Sequence, residues 1–158
     1  MRKRDLIKKS FAKYINEDVR EGVLNGLQEA GHLDTKRIDF VLILVDDSDS
    51  KDCPSIISEA VAVIDKHNGM VDSIIGPFIV VLFGAPVEQP ESESKRKGLV
   101  QAISKAIGEK VSIVHGHSEC LVGTVGGKSR MSYTALIPAF KEILNRLSSL
   151  PYGRVLEI

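Results

Sequence analysis

The sequence has no tryptophan, and its three Tyr and five Phe make up only 5% of the 158 residues. Aromatic surfaces on which the bases of a single-stranded nucleic acid would stack are therefore few. Neither sign of charge dominates, because the sequence has 21 Lys and Arg and the same number of Asp and Glu, 21. The overall charge gives no reason to expect a polyanionic partner. We therefore expect no nucleic-acid partner.

Long apolar runs and paired cysteines are also missing. No run approaches the roughly 20 apolar residues of a membrane span, and the N-terminus lacks the apolar stretch of a secretory signal. The two cysteines, Cys53 and Cys120, have no CxxC spacing. Two free thiols are therefore expected rather than a disulfide or a metal site. These absences predict a cytoplasmic protein without a membrane span.

The remaining composition, 43% hydrophobic and 27% charged, is typical of a globular chain. We expect a single domain over residues 1–158, with an N-terminal helical segment over 1–30 and an α/β core over 37–158. Residues 1–13 hold six basic residues and one acid. Such a cluster can contact phosphate or anionic lipid, but a solvated start of a helix is the more common explanation.

The first half of the core predicts a strand, a helix and a hairpin. The string RIDFVLILV, residues 37–45, is continuously apolar after its start, as in a buried central strand. An acidic loop, 46–52, follows it, and Pro54 begins a helix that runs to about residue 67. The string VDSIIGPFIVVLFGAP, 71–86, predicts a β-hairpin with its corner at Gly76 and Pro77.

The second half predicts a helix over 95–108, two strands over 111–115 and 119–125 paired around a turn, and a helix over 137–150 with Pro138 near its start. A short strand in GRVLEI ends the chain. Within this order lies the βαββαβ pattern of the ferredoxin-like arrangement. The predicted fold class is α+β, with a mostly antiparallel sheet and helices packed on one face.

Five strings, taken in order, resemble the class III adenylate/guanylate cyclase catalytic domain. They are FAKYINEDV at 11–19, FVLILVDD at 40–47, GMVDSIIGPFIVVLFGAP at 69–86, SECLVGTVGGKSRMSYT at 118–134 and LNRLSSL at 144–150. FGAP and GTVGGKSRMSYT are the most specific. The resemblance implies a ferredoxin-like core extended as in nucleotide cyclase domains. It also implies a head-to-tail dimer with the active sites between protomers.

Members of that family cyclise a nucleoside triphosphate, using two divalent cations held between two aspartates. One cation activates the ribose 3′-hydroxyl and the other neutralises the triphosphate. The resemblance places Asp46 at the first aspartate and Pro77 at the second. Proline has no carboxylate and no backbone N–H. We therefore expect no cofactor, with magnesium or manganese relevant only if some cyclase activity persists.

The other positions implied by the resemblance are altered too. The lysine that reads the purine would lie at Ser73, and the residue that works with it falls at Pro138 or Ala139. The asparagine that orients the ribose aligns with Glu142, whose negative charge should repel a polyanionic substrate. Only Arg146 matches, at the place of the transition-state arginine. One aspartate and one arginine do not assemble the reaction.

Other candidate sites have simpler interpretations. The acidic loop 46–52 lacks the glycine and the terminal glutamate of a calcium loop, so a solvated loop before a helix is favoured. His115 and His117 share one strand face, but zinc needs a further ligand and Cys120 would point to the opposite face. The string GTVGGK lacks the Walker spacing, which favours a hairpin turn.

Three functional hypotheses remain. The first is a catalytically inactive cyclase-like domain that acts in regulation or dimerisation, with a second copy or a cyclase-like partner. The second is an adenylate or guanylate cyclase with residual activity, or one complemented by a partner to which it lends Arg146. The third is a module that binds a nucleotide without turnover. The combined changes at Ser73, Pro77, Pro138 or Ala139, and Glu142 favour the first.

Overall fold

A computed structural model describes residues 34–85, 89–127 and 130–158. The predicted helical segment over 1–30, with its basic cluster, lies outside the described residues. The strands are β1 Asp34–Val45, β2 Met70–Ile75, β3 Phe78–Phe83, β4 Val111–Gly127, β5 Arg130–Leu136 and β6 Val155–Glu157. The helices are α1 Cys53–Lys66, α2 Ser92–Ile107 and α3 Phe140–Ser149, and a short 3-10 turn spans Gly108–Lys110.

The strands form a six-stranded sheet in the order β2-β3-β1-β4-β5, and β6 also pairs with β4. Every pairing is antiparallel except that of β6, which runs parallel to β4 beside Ile113–His115. The middle of β1 is buried on both faces, which explains its continuous apolar run. The predicted α+β fold with a mostly antiparallel sheet is confirmed.

Helices cover both faces of the sheet, so the prediction of helices on one face is wrong. One core lies under α1 and α2 and includes Val41, Ile43, Ala60, Ile64, Leu99, Ile103 and Ile113. The other lies under α3 and includes Phe40, Leu42, Val80, Leu82, Val114, Ile143 and Leu147. The spacing of apolar residues predicts an amphipathic helix, but it does not say which face of a sheet that helix covers.

β4 is a single strand, which corrects the prediction of two strands paired around a turn near residue 116. It pairs with β1 without interruption from Val111 to Val122. Gly116 is needed for close packing, because a Cβ there would lie 2.5 Å from the carbonyl oxygen of Ile158 and 3.3 Å from the ring of Phe40. The strand that pairs with the end of β4 is β5, with Gly127 opposite Arg130, which agrees with the hairpin predicted at GTVGGK.

Among the described residues, no helix has both the length and the apolar character that a bilayer span requires.

Candidate functional site

The end of β1 and the β2–β3 turn lie side by side. Leu44 pairs with Phe78 across the two strands, and the backbone N–H of Val45 donates a hydrogen bond to the carbonyl oxygen of Pro77, at 2.8 Å. Asp46 follows directly and therefore lies at the same end of the sheet as Pro77. The structure thus brings together the two positions that the resemblance assigns to the metal-binding aspartates.

The turn itself accommodates proline. Gly76 has a φ of +58°, and proline fixes its own φ near −65°. A positive φ followed by a negative one is the sign combination of a type II′ hairpin turn, with glycine first. Pro77 accepts a hydrogen bond through its carbonyl oxygen but offers no carboxylate. The hairpin is therefore retained without an acidic ligand at its corner.

The carboxylate of Asp46 stabilises its own loop. Its Oδ1 accepts hydrogen bonds from the backbone N–H of Ser48, at 3.0 Å, and from Ser48 Oγ, at 2.6 Å. These two bonds, with a smaller contribution from the charge of Lys110, hold the pKa of Asp46 below its ordinary value. Asp49 likewise accepts a bond from the backbone N–H of Lys51. Such contacts are ordinary in polar turns.

These residues do not fit a pair of cations. One carboxylate oxygen of Asp46 is engaged by Ser48, and Pro77 supplies no carboxylate. Hard cations such as magnesium need several oxygen ligands. In the described ranges, no group of three or more His, Cys, Asp or Glu is placed to hold a metal ion. The acidic loop is accordingly a hydrogen-bonded turn.

The turn after α3 also reaches the acidic loop, which the sequence patterns did not predict. The N–H of Gly153 donates to the carbonyl oxygen of Val111, at 2.8 Å. The neighbouring Tyr152 has a raised pKa, chiefly because of burial and then because of the charges of Asp46 and Asp47. A phenol beside two carboxylates adds no positive charge at this end of the sheet.

Ser73, at the position of the purine-reading lysine, is buried in β2 and pairs with Val80 just after a β-bulge. The bulged residue is Asp72. Its Oδ1 is buried and has no hydrogen-bond partner within the described segments. Burial raises the pKa of Asp72 to about 6. A charged residue within an apolar strand pattern is the signal that would have identified this group.

The remaining predicted site residues lie just before α3 or within it. Pro138 and Ala139 are exposed, and Ala139 has a left-handed φ of +56°, so the helix begins at Phe140 and not at residue 137 as predicted. Glu142 and Arg146 are exposed one turn apart, on the side away from the sheet. In the described part of the chain, no hydrogen bond or ion pair joins these residues to Ser73 or Asp46.

A buried charged group lies between α2 and the sheet. We call it the Arg96 cluster: Asp39, Arg96, His115 and Glu157. Arg96 is 1% exposed and its Nε lies 3.0 Å from Oδ1 of Asp39, which is fully buried. The angle of that contact lies outside the hydrogen-bond range, so the attraction is that of an ion pair. Oδ2 of Asp39 accepts a hydrogen bond from the hydroxyl of Ser92.

The same guanidinium connects α2 to two more strands. Arg96 Nη1 lies 2.9 Å from Nδ1 of His115 on β4 and 3.4 Å from Oε2 of Glu157 on β6. His115 is therefore buried in a hydrogen bond, whereas His117 is exposed. Cys120 lies in the core on the other face, as predicted. The sequence signal for this cluster was Asp39 inside an apolar strand.

Comparison with solved structures identifies the fold. The chain is similar to the guanylyl cyclase Cya2, with a TM-score of 0.66 and 19% identity over 79% of this chain and 76% of that one. It is similar to the adenylyl cyclase CyaB from P. aeruginosa, with a TM-score of 0.59 and 19% identity over 79% of each chain. It is also similar to a dimeric guanylyl cyclase domain of the RhoGC fusion protein from Blastocladiella emersonii, with a TM-score of 0.59 and 12% identity over 76% of this chain and 78% of that one.

No protein-family model matches the sequence, and no curated protein does. The low identities to the solved structures establish the fold alone. The chain has the fold of the class III adenylyl/guanylyl cyclase catalytic domain, which confirms the fold that the sequence strings implied.

Proposed function

We propose that this chain is a catalytically inactive domain with the class III nucleotide cyclase fold, which acts in regulation by associating with a second copy or with a cyclase-like partner. It works without a resident metal ion. Its partners are proteins and not nucleic acids.

One observation supports the loss of catalysis above all others. Val45 N–H bonds to the carbonyl oxygen of Pro77, so Pro77 lies at the same end of the sheet as Asp46, at the position that the resemblance gives to the second aspartate. Proline there cannot ligate a cation through its side chain. Cyclisation of a triphosphate needs positive charge on the phosphates and an activated hydroxyl, and two-metal sites supply both. Lys110 lies near Asp46 at this end of the sheet, but a single ammonium group does not replace two metal ions.

The environment of the other positions supports the same conclusion. Ser73 has a short hydroxyl where the resemblance implies a lysine, and Glu142 adds a negative charge on the exposed side of α3. The carboxylates of Asp46 and Asp47 lie near Tyr152, at the same end of the sheet as Pro77. A bound triphosphate would therefore meet added negative charge at these positions, which disfavours its binding.

Association is supported by apolar surface that the described elements leave partly uncovered. Leu44, Met70 and Phe78 are half-buried on the sheet face that α3 covers. On the opposite sheet face, Leu121 and Leu136, paired across β4 and β5, are 45% and 47% exposed. Two exposed leucines alone do not make a patch, so the α3 face is the expected interface. The similar RhoGC domain has been solved both as a dimer and as a monomer.

A second candidate function is a heterodimer in which a competent partner uses Arg146. The exposed position of Arg146 on α3 favours it, because the guanidinium is available to another chain. That partner would have to supply every other catalytic group. This requirement makes the inactive domain the better-supported proposal.

The proposal predicts no cyclic nucleotide from the purified protein with ATP or GTP and manganese. The physical reason is that the attacking hydroxyl and the triphosphate both lack their cations. Product is measured by chromatography, with an active cyclase domain assayed in parallel. Product above the no-enzyme background would contradict the inactive-domain proposal.

The association half of the proposal predicts a homodimer in light scattering, with a mass near twice 17.3 kDa. The half-buried apolar residues on the α3 face should drive it, since their burial is favourable at about 25 cal/mol per Å². Dilution should shift the mass towards the monomer. A strict monomer at high micromolar concentration would count against homodimerisation and leave only the heterologous partner.

A further inference from the structure

The Arg96 cluster contains one group whose hydrogen-bonding role reverses when it gains a proton. Nδ1 of His115 lies 2.9 Å from Nη1 of Arg96, which can only donate. The contact therefore requires an unprotonated Nδ1 on a neutral imidazole. A proton there would place two donors, both positively charged, against each other.

We propose that His115 is a proton-operated switch. When neutral it joins α2 to β4 and β6, and when protonated it releases α2 from these two strands while the contact with β1 remains. Protonated, its Nδ1–H turns from Arg96 to the nearest carboxylate, that of Glu157. Nδ1 of His115 and Oε2 of Glu157 already lie 3.8 Å apart. Glu157 then pairs with β4 instead of α2, and Arg96 keeps only Asp39 and the exposed Glu93.

The charges around His115 determine which protonation state the folded protein favours. The groups that face the switch are Arg96, Lys97 and Glu93 from α2, Asp39 from β1, Glu157 from β6 and the neighbouring His117 on β4 itself. Burial, and then the charge of Arg96, lower the pKa of His115, while Glu157 raises it. The folded state therefore favours the neutral ring.

The sign of the pH dependence follows from that direction. A histidine whose pKa is lowered when α2 is joined to the sheet stabilises that arrangement at pH values above about 6.5, the ordinary pKa of histidine. That contribution is lost as the pH falls from 6.5 through the lowered value. Asp72, whose pKa is raised to about 6, titrates in the same window, so a change between pH 7.5 and 5.0 is assigned to His115 through the His115 variant.

The switch also connects to the acidic loop. β6 is preceded by the turn of Tyr152 and Gly153, which bonds to Val111 beside Asp46. Release of α2 from Glu157 removes one of the contacts that hold β6 in place. The switch does not depend on nucleotide chemistry, so its failure would leave the proposed function untouched.

Amide hydrogen exchange of α2 tests the inference. In the unmodified protein, protection of α2 should fall between pH 7.5 and 5.0, by up to about tenfold for each unit by which the pKa of His115 is lowered. The intrinsic pH dependence of exchange is subtracted first. His115→Gln, which keeps an acceptor but cannot titrate, should abolish the fall. His117→Gln, an exposed histidine two residues away, is the matched control and should retain it.

A second variant keeps the test decisive if His115→Gln does not fold. Glu157→Gln removes the carboxylate that raises the pKa of His115, so the loss of protection should move to lower pH. An NMR titration of the His115 ring in the unmodified protein gives the same midpoint independently. The inference is overturned if α2 protection shows no excess pH dependence, or if His117→Gln removes it as fully as His115→Gln.

Discussion

Replacing Arg96 with methionine is expected to lower the free energy of unfolding by about 3–5 kcal/mol, the cost of removing one partner from a buried ion pair. Asp39 is fully buried and its Oδ1 lies 3.0 Å from Arg96 Nε. Methionine fills much of the volume but leaves that buried carboxylate with only Arg37, a half-exposed cation whose Nε lies 3.7 Å from Asp39 Oδ2. His115 also loses its donor. Urea denaturation followed by circular dichroism measures the change.

Lys97→Met is the matched control for that prediction. Lys97 follows Arg96 on α2 and lies 3.4 Å from Glu93, but both side chains are about half exposed. Exposed pairs contribute little, so the free energy of unfolding should hardly change. Adding Asp39→Leu to Arg96→Met should recover part of the loss, because the uncompensated charge is then gone. Equal effects of Arg96→Met and Lys97→Met would contradict the argument.

The elements defined by local patterns were predictable from the sequence. The continuous apolar run from Phe40 to Val45 predicted β1, and Pro54 marked the first turn of α1. Gly76 and Pro77 located the hairpin, because only a short list of residues fits such a turn. Each of these signals acts within a few residues of the chain.

Features set by distant contacts were not predictable in the same way. A turn was predicted between residues 115 and 119, but β4 is continuous there and Gly116 allows Ile158 to approach it. Nothing in α3 itself indicates which sheet face Ile143 and Leu147 cover. A polar residue in an apolar run, such as Asp39, signals a partner without naming Arg96. These choices depend on the whole fold and not on local propensity.

Part of the candidate site was likewise predictable from the sequence, and part was not. The juxtaposition of Asp46 and Pro77 follows from strand pairing and was implied by the family strings. The engagement of Asp46 by Ser48 and the approach of Tyr152 depend on loop conformation, which no periodic pattern specifies. Asp72 was missed because a β-bulge changes the alternation of a strand.

Replacing Asp72 with asparagine is expected to stabilise the protein at pH 7.5. Burial raises the pKa of Asp72 to about 6, from an ordinary value of 3.8. Two pKa units correspond to about 3 kcal/mol, and partial exposure of the side chain reduces the expected gain to about 2 kcal/mol. Asparagine keeps the shape and removes the charge. Urea denaturation of both proteins at several pH values measures the gain.

The pH dependence separates this cause from a change in packing. Because the folded state raises the pKa of Asp72, the group favours folding fully below pH 3.8, and that contribution disappears as the pH rises through about 6. The advantage of Asp72→Asn should therefore shrink as the pH approaches 4. Asp65→Asn, at an exposed position on α1, should change little at either pH. A gain that is independent of pH would exclude the buried charge as its source. β2 is an edge strand, and a bulge with an inward charge discourages pairing with another edge. The structure thus gives a reason for a stability cost at this position.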